Sequence, residues 1–511
     1  MADPIGRSIA SLVGIFSPRA ALSYLQRRAA LLSYAAARRD GPNKNWLPRD
    51  LDINRMNRKD RELVQARARD IGMNTAVAGA LDRIVANVVY TGIRPQVDIP
   101  HLDGGRDCDA CSGVETLWGR WARQVEMWEM QQLVLRHLWL DGGCIVHRYV
   151  DRDLARRGLP PVNLELIDLS RLNTQLFGTL PGGNTVEDGI EYRGYKPVAL
   201  HVLKRPLPGT FATSFDEDVR LPLEDCRLVM TRRRIGQSVP MSWLAAVIMT
   251  VHNLDAYLSV EEIAARVAAA FCVIVELPDQ ADSNPLNGIP TASMSGGTGT
   301  DGSRIPKFID AGRIDTIPAG AKLNTVNPGR PGTTFEPYLR ASNRRISSGL
   351  GISYEAYSND YTGASYSSAR SASLEERRAY RMQQRVLVEK FLSPVWDWFC
   401  DGLALSGAPA HAQDGTIPVN WQLPGWSWVD PAKDAAASEK NLQLKLVSRT
   451  ELCAEQGRDF SEVLARLSEE KRMIEEAGLS PEIVDEAVTV TDKTQGKDNE
   501  DEEDQPSEDR E

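Results

Sequence analysis

Long apolar runs are absent from this 511-residue chain. A membrane-spanning helix needs about 20 consecutive apolar residues, and the best stretches, Leu244–Val251 and Val267–Val275, are far shorter. No membrane partner is expected. The opening "RSIASLVGIFSPRA" sets a basic residue before a brief apolar run. Gly14 interrupts that run, and Pro18-Arg19 follows where an export leader needs small residues at a cleavage site. Cysteines number seven, odd and scattered, which argues against a disulfide framework and for a reducing compartment. There is no GxxxxGK followed by Ser or Thr, no GxSxG and no HExxH. The sequence therefore offers no phosphate-cradling motor loop, nucleophile elbow or zinc-protease helix. A basic excess is missing too. The net charge is −10, and residues 498–511 hold nine acids and one arginine, so the tail carries −8 and the body is near −2. Such a tail repels itself and is expected to be disordered and solubilising. A nearly neutral body is not a tight, sequence-independent DNA binder.

The residues that could carry chemistry are sparse. Gly297–Gly302 matches GxGxxG, but a loop-like stretch precedes it and Pro306 follows, whereas a dinucleotide site needs a strand before and a helix after. Cys108 and Cys111 form a lone CxxC with only His101 nearby, which leaves a zinc site a ligand short. Asp151, Asp153 and Asp168 could serve a metal-dependent nuclease, although "VDRDLARRG" reads more simply as a charged turn after a strand. No cofactor, metal site or catalytic constellation is expected. The densest basic run of the body is "TRRRIGQ", with Arg232, Arg233 and Arg234. Arginine forks match phosphate oxygens, and a solvated or intersubunit-paired strand end explains the run equally well.

At 42% hydrophobic and 25% charged, the chain has the composition of a globular protein long enough for two or three domains. An Ala/Arg-rich helix ends at Gly41-Pro42 in an N-terminal arm, residues 1–50. Helices continue over 59–90, with a break at Gly72, and over 111–140, where Trp118, Trp121, Trp128 and Trp139 are expected to be core. After Gly142-Gly143 the period shortens. "CIVHRYV", "VNLELIDL", "GIEYRGYKPVALHVL" and "CRLVMTRRR" read as strands of a mostly antiparallel sheet. Residues 51–235 thus form one α+β domain. Trp243, Val247, Val251, Leu254 and Leu258 share one face of a helix over about 241–271. Two strand-like pieces flank a Pro/Gly/Ser/Thr loop at 278–303, and a helix resumes at about 334–350. A longer helix starts near Ser367, and Pro394 should kink it. Its first part would run about 40 Å. Further helices fill 431–490, opening on an Asp-Pro cap signal.

Between the last two long helices lies "YSNDYTGASYSS", with hardly an aliphatic residue. A stretch so polar is not core. It is either a connector or a surface aimed at something outside the protein, and at about sixteen residues (351–366) it exceeds the usual helix–helix connection.

Several segments carry a resemblance to the lambda family of phage portal proteins. "ETLWGRWARQ" through "LWLDGGCIVHRYV" looks like the family's Trp-bearing helices leading to a turn and strand. "RRRIGQSVPMSWLAAV" is similar to its Arg/Gly-Gln segment before a long helix, and "ISSGLGISYEAYSNDYTGASYSSARSASLEERR" is the most specific match. "WSWVDPAKDAAA" looks like the usual C-terminal continuation. The resemblance covers roughly residues 50–480. Asp141-Gly-Gly143 and Ser238-Val-Pro240 depart from the family's pattern. The resemblance implies an α+β portal-type subunit without enzymatic activity. Its parts would be an α/β wing (51–235), a first stem helix (236–271), a small β-containing clip (272–333) and a second stem helix (334–350). A tunnel loop (351–366), a long kinked helix (367–405), C-terminal wing or crown helices (406–490) and the acidic tail (491–511) would complete it. It implies a homo-oligomeric ring, typically of twelve, at one capsid vertex of the virion, with assembly in the host cytoplasm. Double-stranded DNA would pass through its channel, and the implied partners are the large terminase subunit, the major capsid protein and head–tail connector proteins.

Under that resemblance Tyr354, Tyr357, Asn359, Tyr361, Thr362, Gly363, Ser365 and Tyr366 face the DNA, whose sliding suits weak neutral contacts better than fixed cations. Gly363 permits a sharp bend, and Ser367 or Ser368 is expected to cap the emerging helix. Arg370, like Arg232, Arg233 and Arg234, is a candidate phosphate or intersubunit contact. The competing readings are a metal-dependent DNA-processing enzyme and another phage ring or adaptor protein, although adaptors are usually much smaller.

Overall fold

The computed structural model describes residues 52–100, 108–204, 218–269, 273–276, 314–317, 334–405, 417–427 and 430–478. The N-terminal arm, the 278–303 loop with its glycine motif, and the acidic tail lie outside the described residues. By internal packing the chain divides after Met56, and the larger unit, from Asn57 onward, contains the hydrophobic core.

Helix α1 (Ile53–Asn74) buries Asn57, Arg61, Gln65, Ala68 and Ile71. Its inner face is thus largely polar, and most of it is paired, the Arg61 Nε being a buried atom without a hydrogen bond. Gln65 Nε2 donates to Asp141 O at 2.9 Å, Arg61 to Thr174 Oγ1 at 3.0 Å, and Asn57 to Val239 O at 3.3 Å. Gly72 does not break the helix. It is the spot where α1 meets the next layer, since a Cβ there would stand 2.5 Å from Leu140 Cδ2. The interruption falls two residues later, at Asn74-Thr75, before α2 (Val77–Val88), whose Val77, Leu81, Ile84 and Val88 are core.

After β1 (Arg94–Val97), the tryptophan-rich stretch folds as two helices, α3 (Cys108–Gln124) and α4 (Met127–Leu140), parted by Glu126 in the left-handed region. Trp118, Trp121 and Trp139 are buried as expected, but Trp128 is 56% exposed. Its indole N–H donates to Tyr90 O at 2.9 Å. Standing at the first turn of α4, it covers Gly92 rather than entering the core.

The strands between Gly143 and Met230 form two antiparallel sheets rather than one. β2 (Gly143–Val150) is central to the first, flanked by β3 (Val162–Ile167), which follows the one-turn helix α5 (Arg152–Arg156), and by β9 (Cys226–Met230). The second is a five-stranded meander: β4 (Gly178–Thr179), β5 (Thr185–Glu187), β6 (Ile190–Arg193), β7 (Lys196–Leu203) and β8 (Asp218–Pro222). Ile145, Ile167, Leu172, Leu200 and Val202 form the apolar cluster of these sheets. The turn into β2 needs glycine, because a Cβ on Gly142 (φ +87°) would meet Met241 O at 2.3 Å.

A 3-10 turn at Trp243–Ala246 leads into α6 (Ile248–Ala269). Val247, Val251 and Leu254 are buried, as their spacing foretold. β10 (Val273–Glu276) pairs in parallel with β11 (Ile314–Ile317). α7 (Phe335–Leu350) returns along α6. Tyr257 lies 4.8 Å, ring to ring, from Tyr338, and a Cβ on Gly349 would lie 2.2 Å from Val247 Cγ1. Then come the one-turn helix α8 (Tyr354–Ser358) and the long α9 (Tyr366–Leu387). The irregularity expected at Pro394 appears just before it, as a π-turn at Val388–Leu392 ahead of α10 (Ser393–Leu405). Proline lacks an N–H and crowds the preceding turn, so the backbone widens there.

β12 (Val419–Gln422) pairs antiparallel with β1 and so bonds the C-terminal part to a strand over 300 residues earlier. Around this seam Trp118, Trp121, Trp396, Phe399 and Trp421 make one aromatic cluster, with Trp118 lying 5.2 Å from Trp396 and 5.0 Å from Phe399. Trp121 and Trp396 donate their indole N–H groups to Val162 O and Ile417 O, which removes the penalty of burying them. α11 (Pro431–Gln443) starts at the Asp430 cap, followed by α12 (Arg449–Glu455) and α13 (Phe460–Glu476). Among the described residues no helix is long and apolar enough to cross a membrane.

Candidate functional site

The polar segment between α7 and α9 is more ordered than its composition promised. Gly351 ends α7 in the left-handed region at φ +69°. Ser353 caps α8 by accepting from the Ala356 N–H at 3.1 Å, and Asn359 (φ 54°) ends that single turn. Asp360 then organises the next bend. It accepts from Tyr354 Oη at 2.8 Å and from the Thr362 N–H at 3.0 Å, and also from the Thr362 hydroxyl. These hydrogen bonds, the Thr362 and Tyr354 hydroxyls first, hold the Asp360 carboxyl down at about 2. Gly363 turns at φ +82°, which an L side chain resists. Ser365, ahead of the expected pair, caps α9 by accepting from the Ser368 N–H at 3.2 Å.

The nominated residues therefore separate into two groups. Tyr357 is half-buried against the core, where burial pushes its phenol up. Tyr354 lies under the Arg344 guanidinium, 5.4 Å from its ring centre, and Asn359 accepts from Arg83 Nη2 at 2.7 Å. Tyr361 and Tyr366 are 61% and 59% exposed, and Thr362, Gly363 and Ser365 are exposed with them. The exposed group carries no charge.

The arginines are engaged to different degrees. Arg232 donates to Gln237 O at 2.9 Å, and Arg233 lies over the Trp243 ring, where burial lowers its basicity. Arg234 is exposed beside the exposed Ile235. Arg370 pairs with Asp434 at 2.6 Å and lies 4.0 Å from Asp430, so it ties α9 to the start of α11.

Comparison with known proteins decides the family. The profile described as "Phage portal protein, lambda family" matches residues 39–384, well over half of the chain. The chain belongs to the lambda family of phage portal proteins. It is 26% identical over 498 residues to the "Probable portal protein" of Halomonas phage phiHAP-1, covering 93% of each. Portal protein B of Escherichia phage lambda is 24% identical over 324 residues, 60% of this chain and 58% of that protein. Among solved structures, the neck of the native GTA particle computed with C12 symmetry aligns over 78% of this chain and 94% of that one, with a TM-score of 0.38 and 13% identity.

In this portal-family chain the carboxylates of the enzyme reading have structural work. Asp151 caps α5 through the Asp153 N–H at 2.8 Å and accepts from Asn163 at 2.9 Å. Asp153 pairs with Arg156 at 2.7 Å. Asp168 comes together with His137 and Asp141 in a cluster that could ligate a metal. The Arg69 guanidinium, however, already bridges Asp141 at 2.7 Å and Asp168 at 2.8 Å, and so supplies the cation that this pair needs. Of the lone CxxC, the Cys111 thiol is buried and accepts from the Ile99 N–H at 3.2 Å, while the Cys108 side chain and His101 lie outside the described residues.

Sequence reasoning missed the residues that hold the loop: Arg83 on α2, Arg340 and Arg344 on α7, and Glu376 on α9, which accepts from the Ser353 N–H at 2.5 Å. In the sequence each is one more charged residue on an amphipathic helix, and no local pattern marks it.

Proposed function

We propose that this chain is the portal subunit of a phage head: it closes into a ring, about twelve-fold, at one vertex of the virion, and double-stranded DNA is packaged and ejected through the ring. The observation that carries this reading is the family match, which spans residues 39–384 and so includes α1 to α8 and the loop between α7 and α9. The physics of two elements supports it. α6 buries one face on its own subunit, yet exposes Met249, Val260 and Ile263 on another. A helix apolar on two sides needs a second partner, and a head-to-tail contact repeated around a closed ring supplies one without leaving an open end. The exposed tip at Tyr361–Tyr366 is uncharged and rich in hydroxyls, which suits a moving polyanion, because each fixed cation would add a salt-dependent attraction.

The segment around β10 and β11 (272–333) is then the part that docks the large terminase subunit and later the head–tail connector proteins, and the major capsid protein surrounds the wing. Arg234 is the basic side chain of the 232–234 run left most open to phosphate or to a neighbouring subunit. Electron microscopy of the purified protein, with its mass measured in solution, tests the reading. Open rings of about a dozen subunits are expected. A compact dimer with a closed cleft would overturn it.

A further inference from the structure

The loop's foot and tip are built differently, and one side chain from outside the loop marks the boundary. α8 is a single turn of five residues, too short to persist by itself, because helix nucleation is unfavourable. Its internal bonds are few: the Tyr357 N–H donates to Ser353 O at 3.1 Å and the Asn359 N–H to Glu355 O at 2.9 Å. A continuing helix would next join the Asp360 N–H to Ala356 O. Here that N–H turns to Ser358 Oγ at 3.2 Å, and the Ala356 carbonyl accepts from Arg83 instead. The other arm of the same guanidinium reaches Asn359 Oδ1 at 2.7 Å. Arg83 stands on α2 between Leu81 and Ile84, both fully buried, so its anchor is fixed.

We propose that Arg83 is the positioning residue of the channel loop, a latch that joins α2 to the end of α8 and confines the DNA-contacting part to residues 361–366. A planar fork can serve two acceptors three residues apart, and a lysine ammonium cannot do so with the same geometry. With the latch made, about three residues on each side of the tip can extend, a reach of about 10 Å at 3.3–3.6 Å per residue. With the latch open and Tyr357 still packed on the core, residues 358–365 are released, about four residues extend on each side and the reach grows to about 14 Å. The latch therefore limits how far the loop protrudes. Its place in DNA passage rests on the portal reading above; the latch itself does not.

Hydrogen exchange read by mass spectrometry on the full-length protein tests it with R83A, R83K and N359G. Glycine permits the left-handed backbone at Asn359 and removes the acceptor. R83A should speed exchange of the Tyr357 and Asn359 amides about tenfold or more, with α2 and α9 unchanged. R83K should fall between R83A and the parent. N359G should give a smaller rise, and the double variant should exceed R83A little, since both changes cut one link. Unchanged exchange at 353–359 in R83A, or effects of R83A and N359G that simply add, would overturn the latch. If R83A also loosens α2, N359G decides, and unchanged exchange in it overturns the proposal. Particles carrying R83A should form rings of parental mass but differ in DNA packaging or retention. A released loop with unaltered DNA passage would leave the latch standing and overturn its role in the channel.

Discussion

The residues most exposed at the loop tip, Tyr361 and Tyr366, are neutral, and so are Thr362 and Ser365 between them. Under the portal reading proposed above, function should therefore be sensitive to an added charge there. Thr362→Lys, repeated around a ring, is expected to leave assembly intact and to slow packaging in a salt-relieved manner. Each phosphate contact made at once steepens the logarithmic salt dependence by about 0.9, and packaging rates at several salt concentrations would show it. The Asp360 bend should survive mild acid, because its carboxyl is held at about 2. A second residue-scale test lies in the five-stranded sheet. Glu191 is buried and held at about 2, first by the Arg220 hydrogen bond and then, against its desolvation, by Asn184. Its folded value lies below the usual carboxylate value, so its contribution is complete above about pH 4.5 and is lost as the pH falls through about 2. Glu191→Gln should cost about 1–3 kcal/mol at pH 7, and denaturant unfolding should show that difference vanishing in strong acid.

At the scale of elements, close approach decides more than propensity. α7 meets the residue just before α6 where Gly349 faces Val247, a stiff β-branched side chain that is almost fully buried. Gly349→Ala should overpack this contact and destabilise the helix pair by about 1–3 kcal/mol. A second change, Val247→Ala, should recover part of that loss, which thermal unfolding of the single and double variants would reveal. Gly72 plays the same part between α1 and α4, which is why a glycine that reads as a helix break sits inside a continuous helix. The π-turn before Pro394 likewise answers a backbone constraint, the N–H that proline cannot offer.

Over the whole chain, β1 with β12 and the Trp118–Trp396–Trp421 cluster close the fold across about 300 residues of sequence. Trp396, 1% exposed, is the large side chain at that closure. Trp396→Ala should cost about 3–5 kcal/mol, and hydrogen exchange should rise together in β1, β12 and α10 rather than in α10 alone.

The sequence by itself determined the family, much of the order of helices and strands, and the buried face of α6. Those signals are local: the motifs are contiguous, and Val247, Val251 and Leu254 repeat at the helical period. It also assigned four tryptophans to the core from their helical spacing, and Trp118, Trp121 and Trp139 are there, whereas Trp128 is 56% exposed. Only the tertiary structure decided which of the loop tyrosines are exposed. Tyr354, Tyr357 and Asn359 look no different from Tyr361 and Tyr366 in the sequence, yet Arg344, the core and Arg83 take up the first three. The polar inner face of α1 and the Arg69 bridge between Asp141 and Asp168 were hidden for the same reason. A polar residue on an inner face is stable only when its partner arrives, and here the partners of the α1 and loop residues come from 72 to 276 positions away, a distance at which spacing and periodicity carry no information.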